Sequence, residues 1–306
     1  MNVPTRTMSA IYPLRLRTDL PRDVVHEYWA NQHAEKVKRL ANLVEYNQYH
    51  FSPSDRGYWP ATPTVGILVP PAWPLDGLTE VRIPGVGAAI RIPLHVREVF
   101  LDEQNFLEYV LGHMTGPGGG QWWTSGHDES LGHRTVLLLR RRRGVPRRAF
   151  RTFVHSQLGP ALNAAGAGDL RTYTFLPLTA MAHTTFGVSH ANPALHRYHG
   201  SVVFGADARA ALDGIIASPG AAGVVQDQHL TCIAVHAYTV DRTVPVIRLR
   251  PARWPAISQQ VHNSRSSGRD HLVTARAARQ GDGDNPYGGK GSYAQWFSSP
   301  PTGPKG

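Results

Sequence analysis

A pattern of strand, helix and strand occurs twice in this chain, about 125 residues apart, and constrains the fold more than any other feature. In the first copy a strand over residues 11–17 leads through Pro21 into an amphipathic helix, and a second strand follows over residues 43–51. In the second copy Pro146 opens the helix, and the returning strand spans residues 170–177. Proline near the first turn is typical of helix starts, so the two prolines align the copies.

Each copy continues with two more strands. A glycine leads the third strand, Gly77 in the first copy and Gly200 in the second, and the fourth strand is predicted to end on His113 or His236. We expect a helix between them, short or distorted in the first copy. Each half therefore has the βαββαβ order of a ferredoxin-like unit, whose antiparallel sheet must cover its second face. The predicted fold class is α+β: two tandem ferredoxin-like repeats forming a single-chain α+β barrel, with two sheets and an internal space between sheets and helices.

The repeat divides the chain into four segments. Residues 1–116 form the first repeat, and residues 133–248 form the second. The stretch 117–132, rich in Gly and Trp, is predicted to be the linker between them. Residues 249–306 form a basic Gly/Ser/Pro-rich tail without clear periodicity, which is predicted to be mobile.

Charge and cysteine content indicate the compartment and exclude some partners. The formal net charge is +10, but much of it lies in the arginine cluster over 140–148 and in the tail, as is typical of solvated faces, so no nucleic-acid partner is expected. The single cysteine, Cys232, permits no intramolecular disulfide and fits a reducing cytoplasm. The first eight residues lack the apolar region of a signal peptide, and no run of eighteen apolar residues occurs, so we expect no membrane partner and a cytoplasmic location.

His33 is the first candidate for chemistry. Trp29, His33 and Val37 are spaced by four and share one helix face, which places an imidazole in an apolar stripe. It would act as a general acid/base or be a core histidine satisfied by a backbone carbonyl. The repeat has Leu158 at this position, so the backbone does not require a polar group there, which favours chemistry.

Three further residues are candidates around His33. Asp76 would orient it, although an Asp-Gly step is also common in turns. Tyr46 and His50 lie four apart on one strand and point to one face, where they would stabilise an oxyanion. The alternative for Tyr46 is packing, because Tyr173 lies at the matching position of the repeat.

Two long connections follow the second strands, over residues 54–74 and 182–197, and connections of this length are usually functional lids or disordered segments. Tryptophans and prolines indicate an ordered lid. The first contains Trp59 and Trp73, which with Trp29 would form an apolar wall for an aromatic substrate or belong to the core. The second contains three histidines: His183, His190 and His196. His113 is a further substrate-binding candidate, and His236 lies at the matching strand position of the second half. This symmetry fits a structural role for the two histidines as well as a functional one.

No motif for a metal or an organic cofactor occurs. The sequence has no HExxH or CxxC spacing, so no metal is expected despite 16 histidines. It has no phosphate-binding loop, dinucleotide fingerprint or Gly-x-Ser-x-Gly elbow. We therefore expect a cofactor-free protein, limited to proton transfer or to oxygen chemistry in which a substrate carbanion reduces dioxygen.

The string Trp29-x-x-x-His33, residues 46–50 on the next strand and Asp76 before the third resemble the EthD domain of the dimeric α+β barrel superfamily, over nearly all of residues 8–115. The second half resembles it more weakly, through residues 146–162 and 226–240. There Leu158 replaces the histidine and His199 replaces the aspartate. The resemblance thus implies one complete site in the first half and one degenerate site in the second.

The superfamily includes cofactor-independent monooxygenases of aromatic polyketides, decarboxylases, lactone isomerases and members without assigned activity, and some relatives bind haem. The resemblance implies a tailoring enzyme of secondary metabolism that decarboxylates, isomerises or cyclises a hydrophobic enolisable small molecule, aromatic or polyketide-like. The first alternative is a cofactor-free monooxygenase acting on the same kind of substrate. The second is a non-catalytic carrier of a hydrophobic metabolite. The protein would be a monomeric fused barrel or a homodimer.

Overall fold

Antiparallel β-strands form one continuous sheet in this computed structural model, which describes residues 5–40, 43–71, 73–87, 96–123, 128–177, 185–193 and 197–248. The strands of the first half are β1 (Thr5–Leu16), β2 (Glu45–Phe51), β3 (Gly77–Ile83), β4 (Leu107–Val110) and β5 (His113–Trp122). Those of the second half are β6 (His133–Arg141), β7 (Gly168–Phe175), β8 (Gly200–Ala206) and β9 (Cys232–Ile247).

Strand pairing closes the sheet into a barrel. The order is β3-β2-β9-β6-β8-β7-β5-β1-β4, and an additional pairing between β3 and β1 completes the ring, with β4 on the edge of β1 beyond β5. Within each half the first strand lies between the third and the last, and the pairs β2–β9 and β5–β7 join the halves. The predicted α+β barrel is confirmed as a closed antiparallel barrel, but the two expected sheets are one.

The helices lie outside this barrel. The first half contains α1 (Arg22–Tyr28), a π-helical turn (Trp29–His33), α2 (Ala34–Lys38), α3 (Arg97–Asp102) and a 3-10 turn (Glu103–Asn105). The second contains α4 (Arg147–Thr152), a π-helical turn (Phe153–Leu158), α5 (Gly159–Ala164), α6 (Arg209–Ala217), α7 (Pro219–Asp227) and a 3-10 turn (Gln228–Leu230). The long helix expected after Pro21 thus contains a π turn, as does its repeat. No helix in the described ranges is both long and apolar enough to span a membrane.

The predicted linker contributes to the barrel. Residues 117–122 belong to β5, and His113 begins that strand rather than ending the one before it. His236 likewise lies near the start of β9. A Cβ on Gly120 would collide with the Thr7 hydroxyl, so the glycine run that suggests a flexible link in the sequence permits close approach of β5 to β1.

Strand register corrects the alignment of the two second strands. The residue opposite the leading glycine of the third strand is His50 in β2 and Thr174 in β7, so these two are equivalent. Tyr173, one residue earlier, therefore matches Tyr49, and both point into the barrel. The expected match of Tyr173 to Tyr46 is wrong, because Tyr46 points to the helix side.

The barrel interior is filled by a charged cluster centred on Arg171. Its guanidinium pairs with Glu80, with Asp169 at 2.7 Å and with Glu45 at 3.4 Å, and it lies over the Trp122 ring at 4.1 Å. None of the four charged side chains is more than 1% exposed. Because Arg171 belongs to β7 and two of its partners belong to β2 and β3, the cluster joins the two halves.

The first long connection is packed against the second half. Trp59 is 3% exposed and donates from Nε1 to Gln228 Oε1 at 2.8 Å, and Gly66 bridges to Ala234 of β9. His183, His196 and the tail at 249–306 lie outside the described residues, and His190 accepts at Nε2 from the Thr185 N–H at 3.1 Å.

Candidate functional site

His33 lies in the π turn between α1 and α2, where its imidazole is held from both sides. It is 3% exposed, and Nδ1 lies 3.0 Å from Asp102 Oδ2 at the end of α3. Nε2 lies 3.4 Å from the Tyr46 hydroxyl of β2, and the ring packs against Phe106 at 4.6 Å between centroids. A π turn adds a residue to one helical turn and often marks a functional position. The predicted proximity of His33 and Tyr46 is therefore present.

Asp102 is the carboxylate that orients His33, and the sequence reasoning missed it. Its Oδ1 also accepts from Lys36 at 2.5 Å, from Tyr28 at 2.6 Å and from Asn105 at 2.9 Å. Burial alone would raise the pKa of Asp102, but the hydrogen bonds from His33, Lys36, Tyr28 and Asn105 hold that pKa below its ordinary value. The group is thus a carboxylate at neutral pH, and it favours the tautomer of His33 that carries its proton on Nδ1.

Asp76 does not contact His33, which corrects the expected pairing. Its Oδ2 accepts from the Leu16 backbone N–H at 2.9 Å, and its Oδ1 forms an ion pair with Arg22 at the start of α1. Asp76 precedes β3, so it lies at the end of the barrel where helix α1 begins. Asp76 therefore connects β1 to α1, and the carboxylate that contacts His33 is Asp102.

His50 lies on the same strand face as Tyr46 but in a different group of side chains. Its Nδ1 is 2.6 Å from His26 Nδ1, and its ring stacks on Trp29 at 4.2 Å. Burial, followed by the charges of His26, Arg242 and Arg22, lowers the pKa of His50 to about 2. Burial, followed by Arg22, lowers the pKa of His26 to about 4. Both rings are therefore neutral at pH 7.

The three predicted tryptophans do not form one wall. Trp29 is fully buried next to His50, in the helix-side core of the first half. Trp59 packs into the helix-side core of the second half, and Trp73 packs edge-on against Tyr109 at 4.7 Å. Only Trp29 approaches the cluster around His33. Its ring also limits Gly77, where a Cβ would lie 2.6 Å from it.

His113 borders a cavity of about 260 Å3 in the second half. Its ring stacks on Phe175 at 4.5 Å, nearly parallel, and burial followed by the charges of His199 and Arg197 lowers its pKa to about 3. The cavity lies between α4 and the strand ends near His199. The half that was expected to be degenerate thus contains this open space, whereas the His33 group is closed.

The His33 group has the parts of a proton-transfer site. With its proton on Nδ1, donated to Asp102, the imidazole presents Nε2 as a base towards the Tyr46 hydroxyl. Burial raises the pKa of Tyr46, so this hydroxyl stays protonated and is able to donate. Within the described ranges, no three His, Cys, Asp or Glu side chains are grouped so as to hold a metal ion.

No family model and no curated protein matches this sequence. Among solved structures, a putative monooxygenase from Lactobacillus acidophilus NCFM superposes with a TM-score of 0.49 at 10% identity, over 80% of this chain and 98% of that one. Another putative monooxygenase, from Fusobacterium nucleatum, gives 0.48 at 6% identity, over 82% and 95%. An anthrone oxidase-like protein gives 0.44 at 7% identity, over 80% and 96%. All three TM-scores are below 0.5. The assignment of the fold therefore depends on the strand pairings of this chain, and the assignment of its chemistry depends on its side-chain contacts.

Proposed function

We propose that this chain is a cofactor-independent acid–base enzyme for a hydrophobic, enolisable small molecule, aromatic or polyketide-like, and that it is a tandem EthD-like protein of two ferredoxin-like repeats. The observation that supports this is the His33–Asp102 pair, with a tyrosine hydroxyl on the other imidazole nitrogen. Asp102 takes the orienting role that the sequence had suggested for Asp76. We also predict a cytoplasmic location and an oligomeric state of either a monomeric fused barrel or a homodimer.

The chemistry is proton abstraction next to a carbonyl group. Nε2 of His33 accepts the proton as the C–H bond breaks, and the electron pair moves to the carbonyl oxygen to form an enolate. Asp102 stabilises the resulting imidazolium, and the Tyr46 hydroxyl donates to the enolate oxygen. Return of the proton to another carbon is an isomerisation. In a cyclisation the enolate carbon attacks a second carbonyl group of the same substrate, the C=O electron pair moves to that oxygen, and the oxygen takes the proton back from His33. In a substrate with a carboxylic acid group on the carbon next to the carbonyl, Nε2 of His33 would accept the acid proton, loss of CO2 would break the C–C bond and leave the same enolate, and the imidazolium would return the proton to that carbon.

Access to Nε2 requires a side chain to move, because His33 is only 3% exposed. The contact to Tyr46, at 3.4 Å, is longer than the contact to Asp102, at 3.0 Å. A hydrogen bond of 3.4 Å is weak, so a substrate would displace the Tyr46 side before the Asp102 side. Phe106, packed on the imidazole, would then lie against the apolar body of the substrate.

A deuterium-exchange assay tests the base. Anthrone, a simple enolisable aromatic ketone, is incubated with the protein in D2O under nitrogen, and deuterium uptake at its methylene carbon is followed by NMR. We expect exchange faster than in buffer, with at least a 100-fold loss in His33→Ala and a smaller loss in Asp102→Asn, since general acid–base catalysis typically contributes about 100- to 10,000-fold.

His155→Ala is the matched control. His155 is the buried histidine of the π turn in the second half, held by the hydroxyls of Thr172 at 2.8 Å and Thr174 at 3.1 Å rather than by a carboxylate. This variant should keep the exchange rate. Equal losses in the two histidine variants, or no loss in His33→Ala, would exclude His33 as the base.

Two further measurements separate the alternatives. Stoichiometric oxygen consumption under air would assign the monooxygenase outcome, in which the enolate carbon takes up dioxygen. Binding of anthrone without any exchange would assign the carrier. A Soret band in the purified protein would contradict the cofactor-free proposal.

A further inference from the structure

The cavity in the second half is lined by basic side chains. Arg147 and Arg151 reach it from α4, Arg141 from the end of β6 and Arg197 from the segment before β8, and His113 and His199 complete its polar lining. No carboxylate lines it within the described residues. It shares none of these residues with the group around His33.

The four arginines have no anionic partner in the described part of the chain. Where they form hydrogen bonds, these go to backbone carbonyl oxygens: Arg141 to Val145, Arg151 to Gly118 at 2.8 Å and Arg197 to Asn192 at 3.3 Å. Four guanidinium groups around one cavity repel one another unless an anion lies between them. The described lining of the cavity therefore carries an excess of positive charge.

Three buried polar atoms of residues that line the cavity have no hydrogen-bond partner in the described residues. They are Nε2 of His113, in a side chain that is 2% exposed, Nε of Arg197 and Oδ1 of Asn192. Leaving a buried donor unpaired is destabilising, so such atoms are candidates for contact with a ligand. An acceptor bound in the cavity would satisfy His113 and Arg197 if they donate, whereas the Asn192 oxygen requires a donor such as water.

In the first half an internal ion pair lies at the positions that correspond to Arg147 and His199 of the cavity. There the position of Arg147 is occupied by Arg22, and the residue before the third strand is Asp76, which pairs with it. In the second half that residue is His199, whose Nδ1 accepts from the Arg141 backbone N–H at 3.2 Å. Burial, followed by the charges of Arg141 and other nearby arginines, lowers the pKa of His199 to about 4, so it is neutral at pH 7. The exchange of aspartate for histidine removes the internal anion.

We propose that this cavity binds a small organic carboxylate with an aromatic body. Arginine forks match a carboxylate with two parallel hydrogen bonds, which gives such pairs their strength. The apolar part of the lining, Phe150, Phe175, Leu176 and Tyr198, would contact the ring. The carboxylate takes the place that the Asp76 side chain has in the first half.

Isothermal titration calorimetry with 2-naphthoate tests the proposal without any need for turnover. At low salt the wild-type protein should bind it, and 2-naphthalenemethanol, which has the same ring and no charge, should bind at least 10-fold more weakly. Inorganic phosphate, an anion without an apolar body, should also bind at least 10-fold more weakly. Increasing salt should weaken naphthoate binding, because screening acts on the charge term.

His199→Asp is the sharpest variant, since it places in the second half the anion that the first half already has. The new aspartate should pair with Arg147 and reduce naphthoate affinity at least 10-fold. Arg147→Met should cause a loss of the same size, because it removes one of the guanidinium groups. Arg148→Met, on the same helix but outside the cavity lining, should bind like wild type. Absence of naphthoate binding, equal binding of the alcohol or of phosphate, or full affinity in both cavity variants would overturn the proposal.

Discussion

The two halves of this protein cover the same kind of sheet with the same kind of helix, yet one half has an Arg22–Asp76 ion pair at the position where the other has an open cavity. In the first half Arg22 pairs with Asp76 and Lys36 pairs with Asp102, so each of these two cations has an internal anion. In the second half the arginines face a cavity without a carboxylate among the described residues. The difference arises from a few charged side chains, because strand order is the same in both.

This comparison shows that a repeat assigned by one residue type is a poor guide to which copy is open. The loss of the helix histidine, Leu158 for His33, suggested that the second half had lost its site. In the structure Leu158 is an ordinary core residue, and the cavity lies beyond it, towards His199. We propose instead a closed proton-transfer group in the first half and an open anion site in the second.

The largest effect is expected where the halves join. Arg171→Met leaves Glu45, Glu80 and Asp169 buried without their shared cation, and breaking a buried ion pair in this way is destabilising by about 3–5 kcal/mol. Urea denaturation should show this loss in a single transition, because one cluster serves both halves. Two separate transitions, or a change below about 1 kcal/mol, would contradict a shared interior.

A smaller effect is expected at the leading glycines of the third strands. A Cβ on Gly77 would lie 2.6 Å from the Trp29 ring and 2.7 Å from the Tyr49 carbonyl oxygen, whereas on Gly200 it would lie 2.6 Å from the Tyr173 carbonyl oxygen. Overpacking of this kind is destabilising by about 1–3 kcal/mol. Gly77→Ala should be near the upper end, because Trp29 is fully buried and cannot move aside.

The measurement for both alanine variants is thermal or urea unfolding, with Gly214→Ala as the control. Gly214 lies in α6 with nothing within 4 Å of an added Cβ, so alanine there should stabilise the helix by up to about 1 kcal/mol. If Gly200→Ala proves the more damaging change, the second half is the more tightly packed one, and the contrast drawn above is reversed.

Much of the fold could be predicted from local patterns. Helix starts at proline, strands with alternating polarity and the leading glycines are properties of a few adjacent residues, and they yielded the strand order of each half. Gly120 was misread because a glycine that permits strand contact looks the same in sequence as one in a flexible link. Tyr173 was misaligned because a shift of an odd number of residues reverses the strand face.

The site was harder to predict for a different reason. Asp102 meets His33 across 69 residues, through a helix whose position depends on the whole sheet. A helical i,i+4 rule finds Trp29 and Val37 beside His33 but finds no partner from another element. Similarly, the cavity lining is drawn from three strands, a helix and a loop, so no local pattern marks it.

The last expected effect, and a small one for any single residue near neutral pH, is the dependence of stability on pH, to which both halves contribute through buried histidines with lowered pKa values. These are His26, His50, His113, His155 and His199. In the unfolded chain a histidine has a pKa of about 6.5, so between that value and the lower folded value the unfolded state binds more protons. Their contribution is therefore complete above about pH 6.5 and is lost as the pH falls through the folded-state pKa values, which are about 4 for three of them and lower for His50 and His113, at up to about 1.4 kcal/mol per pH unit for each histidine.

His155 allows this pH dependence to be assigned to one residue. Burial, followed by the charge of Arg151, lowers its pKa to about 4, and glutamine would keep hydrogen bonds to Thr172 and Thr174 without titrating. The unfolding free energy of His155→Gln should be closest to that of wild type at pH 7.5, and the variant should lose less of it at pH 5. The slope of unfolding free energy against pH should therefore fall by an amount that corresponds to the uptake of up to about one proton on unfolding. Urea denaturation between pH 4.5 and 7.5 measures this slope. Parallel curves for the two proteins would mean that His155 becomes charged without opening the second half, and that its helix is packed less tightly against the sheet than its counterpart in the first.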